Sequence, residues 1–242
     1  MTQFKMGELF CGPGGIAYGA ITARIANPNY RIIHQWATDY DRDTCNTYIR
    51  NICPDAPETV IHEDVRKLDL TSLKPIDALA FGFPCNDYSV VGEQKGMDGV
   101  YGPLYAFGIK VLKLYQPQWF LAENVGGLKN ADAGKTFIKN IDEMREAGYV
   151  VTPHLYKFEE YGIPQSRHRI IIIGIRKDLQ VTFKVPSPAP FSGIDNSCRT
   201  ALEIPPIPAN AANNEVTKQS DTVVRRLQYI KPGENAFNAD LP

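Results

Sequence analysis

Short apolar segments alternate with amphipathic segments along the first three quarters of the chain. Such alternation is typical of a mostly parallel sheet whose two faces are covered by helices. The segments predicted to form strands are 5–10, 31–38, 77–81, 118–122, 149–156 and 169–175, with 59–62 as a short edge strand. The pattern therefore predicts an α/β fold with six or seven strands.

Two helices between these strands are predicted from their apolar stripes. Pro103 precedes and Pro117 follows a segment whose apolar residues recur at helical spacing, and a second such stripe at 137–144 ends before Gly148. Proline suits the first turn of a helix and glycine its end. We expect both helices to have a packing role.

The composition of the chain changes at Lys184. Beyond this residue proline, serine, alanine and asparagine dominate, and only 221–230 has a short helical pattern. The sequence therefore predicts a cofactor-binding and catalytic domain over residues 1–183. Residues 184–242 are predicted to be a linker and the incomplete start of a target-recognition region.

Composition narrows the class of protein further. The 242 residues are 43 % hydrophobic and 22 % charged, which is typical of a soluble globular protein. No signal-length apolar segment follows the N-terminus, so we expect a cytoplasmic protein with no membrane partner. The five cysteines form no CxxC pair, which predicts neither a disulfide framework nor a structural metal. Balanced charge, 26 basic against 27 acidic residues, leaves a local nucleic-acid groove possible.

Candidate ligand-binding residues follow the first three strands. The first strand runs into LFCGPGG (residues 9–15), a glycine-rich turn that lets a ligand approach the backbone and the start of a helix. Alone, this turn is equally consistent with an ordinary strand-to-helix connection. Asp39 ends the second strand, where an acidic residue accepts hydrogen bonds from ribose hydroxyls, and Asp64 follows the third, where a carboxylate can accept from an adenine amino group.

The next two strands end in residues suited to catalysis. GFPCNDYS places Cys85 after Pro84 at the end of the fourth strand, and LAENV places Glu123 at the end of the fifth. Because ligands of open α/β sheets bind at the carboxyl ends of strands, both residues are expected to face the glycine-rich turn. The alternative for Cys85 is a buried core cysteine.

A polar motif, QSRHR, enters the last strand. Gln165, Arg167 and Arg169 stand at alternate positions, which predicts that they lie on one face. Two arginines on one face indicate an anionic partner such as a carboxylate or a phosphate. Structural salt bridges are the alternative.

The motifs LFCGPGG, GFPCNDYS, ENV and QSRHR, in this order, resemble those of the DNA cytosine-5 methyltransferase family, over about three quarters of the chain. The family usually has glutamine after the nucleophilic cysteine, where this chain has Asn86. The resemblance implies a Rossmann-like methyltransferase fold with a mostly parallel, seven-stranded sheet. It also implies that Cys85 is the nucleophile, that Glu123, Arg167 and Gln165 support the cytosine pocket, and that S-adenosylmethionine is bound by Phe10, Gly12, Pro13, Gly15, Asp39, Tyr40, Asp64, Val65, Pro84 and Leu104.

The reaction that the resemblance implies explains these residue types. The Cys85 thiolate adds to carbon 6 of a cytosine flipped out of duplex DNA, Glu123 contacts the ring, and carbon 5 accepts the methyl group. No metal is needed. The product of the cofactor is S-adenosylhomocysteine.

Two parts of the family pattern, a target-recognition domain and a C-terminal helix with an asparagine motif, are not found after Gln228. A second polypeptide that supplies them is the favoured interpretation. A shortened form of a longer chain and an incomplete, inactive relative are the alternatives.

Other functions stay open at the level of sequence. A tRNA cytosine-5 methyltransferase would use the same thiolate, although its family has a different dipeptide before the Pro-Cys pair. A degenerate regulatory relative has no chemical reason to keep Cys85, Glu123 and Arg167 together. A nicotinamide-dependent dehydrogenase would account for the glycine-rich turn but has no use for GFPC and ENV.

Overall fold

The computed structural model of the protein describes residues 2–23, 29–83, 104–125, 135–212, 214, 217–231 and 234–235. Seven strands form one sheet: β1 (Thr2–Leu9), β2 (Tyr30–Asp39), β3 (Val60–His62), β4 (Ala78–Gly82), β5 (Trp119–Val125), β6 (Tyr149–Lys157) and β7 (His168–Arg176). The α-helices of the described residues are α1 (Gly15–Thr22), α2 (Arg42–Ile52), α3 (Tyr105–Tyr115), α4 (Lys135–Glu146), α5 (Cys198–Glu203) and α6 (Asp221–Leu227). The predicted α/β fold with its seventh, short strand is confirmed.

The strand order in the sheet is β3-β2-β1-β4-β5-β7-β6. The first five strands pair in parallel, whereas β7 runs antiparallel to both β5 and β6. The chain order reverses direction between β1 and β4, which in open α/β sheets is where ligands bind. The carboxyl ends of β1, β2, β4 and β5 therefore meet at one edge, together with the start of β7.

One face of the sheet packs against α3 and α4. Alternate residues of β5 and β7 are fully buried on this face, namely Phe120, Ala122, Ile170 and Ile172. Helix α3 approaches β4 so closely that a Cβ atom at Gly108 would lie 2.5 Å from the Phe81 ring. Both helices predicted from their apolar stripes thus have the expected packing role.

The opposite face packs against α1 and α2 only over β1, β2, β3 and β4. Met6, Ala78 and Ala80 of the sheet are buried there against Ala17 of α1 and Tyr48 of α2. Farther along the same face, side chains of β5 and β7 are only half-buried: Trp119, Leu121, Ile171, Ile173 and Ile175. We call this half-buried area the open sheet face. Within the first compact unit, no helix of the described residues covers it.

The chain divides into two compact units, Met1–Ile194 and Asp195–Pro242. The division falls after the change in composition at Lys184, because residues 186–191 contact the first unit. Tyr161 donates a hydrogen bond to the carbonyl of Pro186 at 2.9 Å, and its ring lies 6.0 Å from that of Phe191. None of the helices in the described residues is long and apolar enough to span a membrane.

Candidate active site and cofactor cavity

The glycine-rich turn after β1 has an unusual backbone. Phe10, Gly12 and Gly14 all have positive φ angles, of 55°, 52° and 95°. A side chain at Gly14 would also lie 3.0 Å from both Tyr48 and Ile52 of α2, so only glycine fits there. The turn therefore brings the first residues of α1 close to the sheet and leaves the backbone accessible.

Asp39 at the end of β2 fixes this turn. Its Oδ2 accepts a hydrogen bond from the backbone N–H of Gly12 at 2.9 Å, and its Oδ1 accepts one from the N–H of Asp41 at 3.0 Å. The N–H of Cys11 donates to the carbonyl of Thr38 at 3.0 Å. Since each carboxylate oxygen has a further lone pair, Asp39 can still accept hydrogen bonds from a ligand.

A cavity of about 310 Å³ opens at the ends of β1, β2 and β4. It is lined by Phe10, Thr38, Asp39, Tyr40, Glu63, Asp64, Val65, Arg66, Gly82 and Leu104. Six of these residues were predicted from sequence to contact the cofactor. Thr38, Glu63, Arg66 and Gly82 were not, because single polar residues near strand ends carry no distinguishing pattern. We call this space the nucleoside cavity.

Asp64 is held in the wall of the nucleoside cavity by Arg66. The Nε atom of Arg66 donates to both oxygens of the Asp64 carboxylate, at 2.9 and 3.0 Å. These bonds from the Arg66 side chain lower the pKa of Asp64 to about 2. The carboxylate is therefore ionised at neutral pH and its direction is set by the guanidinium.

A second, larger space of about 960 Å³ adjoins the same turn. Phe10 and Gly82 belong to the walls of both spaces. Gly12 and Pro13 of the turn and Gly15 at the start of α1 line the larger space on one side, and Glu123 and Arg167 also line it. Its floor is apolar and continues onto the open sheet face through Trp119, Leu121 and Ile171. We call this space the groove.

Glu123 at the carboxyl end of β5 is ion-paired with Arg169. The Nε atom of Arg169 lies 2.8 Å from Oε1 of Glu123, and both side chains are about three-quarters buried. The pairing follows from register: Glu123 lies opposite Ile171 and Val125 lies opposite Arg169, so both side chains project from the same face. The resemblance implies that Arg167 supports the cytosine pocket together with Glu123, and does not include Arg169.

The other two polar residues of the QSRHR motif lie before the strand, because β7 begins at His168. Arg167 is exposed and lines the groove, whereas Gln165 is exposed and lines neither space. Of the three residues predicted to share one face of the strand, only Arg169 lies within β7. Arg167 and Gln165 lie in the segment that precedes β7.

Pro84 and Cys85 lie outside the described residues. Phe83 is the last described residue before them, and its carbonyl accepts a hydrogen bond from Nδ2 of the buried Asn124 at 3.3 Å. The side-chain oxygen of Asn124 in turn accepts from the N–H of Val125 at 2.8 Å. Asn124 of the ENV motif thus ties the end of β4 to the end of β5.

A buried acid, Glu8, lies in the groove wall between β1 and α2. Its side chain is 1 % exposed, and Oε2 lies 3.2 Å from the Tyr48 hydroxyl. Burial is the main cause that raises the pKa of Glu8 to about 8. Glu8 is not among the residues predicted from the sequence, because a single acidic residue within an apolar strand carries no distinguishing pattern.

S-Adenosylmethionine fits the residues present. The nucleoside cavity combines an apolar wall with two carboxylates that can accept hydrogen bonds, as a ribose and an adenine amino group require. The described residues contain no group of three or more His, Cys, Asp or Glu side chains placed to hold a metal ion.

Comparison with solved structures defines the class of fold. A methyltransferase of S. pombe, Dnmt2, superposes with a TM-score of 0.56 over 97 % of this chain and 61 % of its own, at 18 % identity. The fold is thus the Rossmann-like fold of S-adenosylmethionine-dependent methyltransferases.

Comparison with sequence families is more specific. The model of the C-5 cytosine-specific DNA methylases matches residues 4–241, and the chain belongs to this family. The Type II methyltransferase M.BbvI of Brevibacillus brevis is 50 % identical over 99 % of this chain and 66 % of its own length. M.NgoFVII of Neisseria gonorrhoeae is 31 % identical over 98 % of this chain and 62 % of its own. The chain therefore spans somewhat under two thirds of these relatives.

Proposed function

We propose that the chain is the cofactor-binding and catalytic part of an enzyme that transfers a methyl group from S-adenosylmethionine to carbon 5 of cytosine in a specific duplex DNA sequence. The observation that carries the proposal is the pair of spaces that share Phe10 and Gly82 at the carboxyl edge of the sheet. One offers carboxylates to a nucleoside, and the other contains the ion-paired Glu123.

The nucleoside cavity would hold the cofactor, which supplies an electrophilic methyl group when bound. Asp39 would accept from the ribose hydroxyls while it keeps the Gly12 turn in place. Asp64, directed by Arg66, would accept from the adenine amino group. Phe10, Val65 and Leu104 would exclude water from the base, since they are apolar and line the cavity.

Cys85 would act as the nucleophile. Its thiolate forms a bond to carbon 6 of cytosine, and the electron pair of the 5,6 double bond moves to carbon 5. Carbon 5 then takes the methyl group and leaves S-adenosylhomocysteine. A base removes the proton from carbon 5, the double bond re-forms, and the bond from carbon 6 to Cys85 breaks. The cytosine has to leave the helix stack for this reaction.

Glu123 would stabilise the cytosine as charge develops on the ring. Its carboxyl group would donate a proton to ring nitrogen 3 and accept a hydrogen bond from the exocyclic amine. The ion pair with Arg169 holds the carboxylate in one direction, which reduces the reorganisation needed during the reaction. Arg167, exposed at the groove, would meet an anion such as a DNA phosphate, and Gln165 would lie beside it.

The experiment that tests the nucleophile uses duplex DNA in which 5-fluorocytosine replaces the target base. Because fluorine cannot leave as the proton does, a working thiolate stays attached to the DNA. With S-adenosylmethionine and a separate polypeptide that supplies target recognition both present, we expect a covalent complex with the chain and none with Cys85→Ser. Cys198→Ser is the matched control, since Cys198 is exposed in the second unit, and it should form the complex normally.

Labelled methyl transfer separates the alternative substrates. Incorporation into duplex DNA but not into tRNA supports the proposal, whereas incorporation into tRNA supports the RNA-modifying alternative. Full methyl transfer by Cys85→Ser would contradict the covalent mechanism. Cofactor binding with no transfer to any nucleic acid, under every combination of partners, would favour a regulatory relative.

We further propose that a second polypeptide supplies the target-recognition domain and the C-terminal motifs, and that residues 184–242 lead into this recognition region. The open sheet face offers a place for one added helix. Neighbouring strands lie about 5 Å apart and a helix is about 10 Å across, so one helix can cover the side chains of β5 and β7.

The test of this proposal is complementation. The last third of M.BbvI, expressed as a separate polypeptide, should bind the chain and allow sequence-specific methylation. Strong sequence-specific methylation by the chain alone would contradict it. The Type II methyltransferases among its relatives suggest a restriction-modification system in a bacterial cytoplasm as the setting.

A further inference from the structure

Four side chains form a hydrogen-bonded chain from the groove to the far side of β2. Glu8 Oε2 lies 3.2 Å from the Tyr48 hydroxyl, which lies 3.2 Å from Nδ1 of His34. The Nε2 atom of His34 lies 2.7 Å from the hydroxyl of Thr59. That hydroxyl is 2.6 Å from the carbonyl of Ala56. We call these four side chains the relay.

The protons of the relay can be assigned from its far end. A carbonyl accepts only, so the Thr59 hydroxyl donates to Ala56 and must accept from His34. His34 therefore has its proton on Nε2, and Nδ1 is an acceptor, because burial lowers the pKa of this imidazole to about 4 and keeps it neutral. The remaining donor for Nδ1 is the hydroxyl proton of Tyr48.

Tyr48 has one proton and two neighbours that could accept it. If Glu8 is ionised, the proton goes either to the carboxylate or to His34, and one buried acceptor is left unpaired. If Glu8 is protonated, its own hydroxyl donates to the Tyr48 oxygen and every member of the relay is satisfied. The geometry therefore favours a neutral Glu8 in the protein without ligand.

The groups packed around Glu8 agree with this assignment. The negative charge of Asp39 on β2 disfavours a second negative charge on Glu8. Cys11 of the turn adds no charge, because burial raises the pKa of its thiol. The groove-wall residues from β4 and α1, among them Ala80 and Ile16, carry no charge. Arg167, which lines the same space, is not among the groups that shift the pKa of Glu8.

We propose that Glu8 is a proton-linked cation acceptor: it is neutral in the free protein and ionises when the cationic part of the cofactor enters the groove. The inference rests on the proposed function, which identifies the ligand. On binding, the O–H bond of Glu8 breaks and its proton passes to solvent. Tyr48 then turns its hydroxyl proton from Nδ1 of His34 to Oε2 of Glu8, and the new carboxylate pairs with the ligand cation.

This link gives the site a means of discrimination. Ionisation of Glu8 leaves Nδ1 of His34 without a donor, which is unfavourable. Only an ion pair between Glu8 and a positively charged ligand can offset this loss. A neutral nucleoside gains nothing from Glu8. The relay thus favours a charged methyl donor over neutral adenosine derivatives that fill the same nucleoside cavity.

The first test counts protons by titration calorimetry at pH 7 in buffers of different ionisation enthalpy. S-Adenosylmethionine has a sulfonium and an ammonium, S-adenosylhomocysteine has only the ammonium, and methylthioadenosine has neither. We expect release of roughly one proton per bound S-adenosylmethionine, none with methylthioadenosine, and none for any ligand with Glu8→Gln. Release with S-adenosylhomocysteine as well would assign the ammonium as the partner, and its absence would assign the sulfonium.

The second test observes the carboxyl group directly. Glutamate labelled with ¹³C at the side-chain carboxyl gives an NMR signal for Glu8, assigned by its loss in Glu8→Gln. We expect this signal to titrate at about pH 8 in the free protein and at least one pH unit lower with S-adenosylmethionine. Tyr48→Phe, which keeps the ring but removes the relay hydroxyl, should shift the midpoint in the free protein.

Different results would contradict the proposed function and the relay proposal. If none of the three ligands binds, the proposed function is wrong. If S-adenosylmethionine binds with no proton release beyond that of Glu8→Gln, or if Glu8 is already ionised at pH 6 in the free protein, the relay proposal is wrong while the cofactor assignment stands.

Discussion

At the scale of the residue, the site depends on side chains whose neighbours fix their protonation or direction. Glu8 is neutral because burial removes the water that would solvate its charge. Asp64 is ionised because Arg66 donates to it. Glu123 is directed by Arg169. In each case the surroundings of the acidic side chain determine its protonation state or its direction.

The buried Glu8 should make stability depend on pH. Its pKa is near 8 in the folded chain and 4.5 when unfolded, so folding takes up a proton between these values. The free energy of unfolding should therefore fall as pH rises from 4.5 to 8, by several kcal/mol at about 1.36 kcal/mol per pKa unit. His34, with a lowered pKa, contributes in the opposite direction below pH 6.5.

Denaturant unfolding of the chain and of Glu8→Gln across this pH range measures the effect. The difference between the two free energies isolates Glu8 from His34 and from surface groups. It should grow steadily in favour of the glutamine variant as pH rises. A difference that does not change between pH 5 and 8 would refute the neutral state of Glu8.

Arg169 and Arg167 should differ in their effect on catalysis. Arg169→Lys removes the directed Nε bond to Glu123 but keeps the charge, so we expect kcat to fall about 10²-fold with little change in cofactor affinity. Arg167→Lys is the matched control, one position before β7, and should act mainly on DNA affinity and its salt dependence. Equal effects of both variants on kcat would contradict the assignment.

At the scale of the element, the turn between β1 and α1 joins the cofactor site to the core. Phe10, Gly12 and Gly14 adopt left-handed backbone angles so that α1 can begin immediately after β1. Asp39 and Thr38 of β2 hold the turn by two hydrogen bonds to its backbone. Helix α2 closes it from the other side through Tyr48 and Ile52.

Gly14→Ala should destabilise the chain. The new Cβ atom would combine a φ angle of 95° with contacts at 3.0 Å to Tyr48 and Ile52. We expect a loss of about 1–3 kcal/mol in the free energy of unfolding. Gly19→Ala, within α1 and with nothing within 4 Å, should instead be neutral or stabilising. Equal stability of the two variants would show that the turn relaxes without cost.

At the scale of the whole molecule, the helices of the first unit cover its sheet unequally. Beyond the part covered by α1 and α2, the apolar side chains of β5 and β7 on that face stay half-exposed. The half-exposed isoleucines of β7 lie beside Trp119 and Leu121 of β5 and form a contiguous apolar patch with them, and large patches of this kind mark interaction sites. The groove leads directly onto this patch, so whatever covers it also borders the active site.

A charge on the open sheet face should weaken association with the complementing polypeptide. Ile173→Lys is expected to keep the chain folded, because the side chain is already half-exposed, and to reduce binding of the last third of M.BbvI at least 10-fold. Ile138→Lys, on the exposed surface of α4, is the control and should bind normally. Pull-down affinity and thermal unfolding measure the two effects, and unchanged binding by Ile173→Lys would place the partner elsewhere.

The sequence by itself determined the strands, the fold class and the family. Strand ends are marked locally by a change from apolar to polar or glycine residues, and parallel strands bring those ends together whatever the details of packing. For this reason the sequence alone places Asp39, Asp64 and Glu123 at one edge. Six of the residues of the nucleoside cavity could be named in the same way.

Only the tertiary structure decided which of these groups interact. Arg169, rather than Arg167, pairs with Glu123 because β7 runs antiparallel to β5 and begins at His168, and neither the start nor the register of a strand can be read from alternation alone. Glu8 gained its role from Tyr48 and His34, which lie 40 and 26 positions away and meet it only when α2 packs on the sheet. Such contacts depend on packing between elements, for which a single sequence carries no local signal.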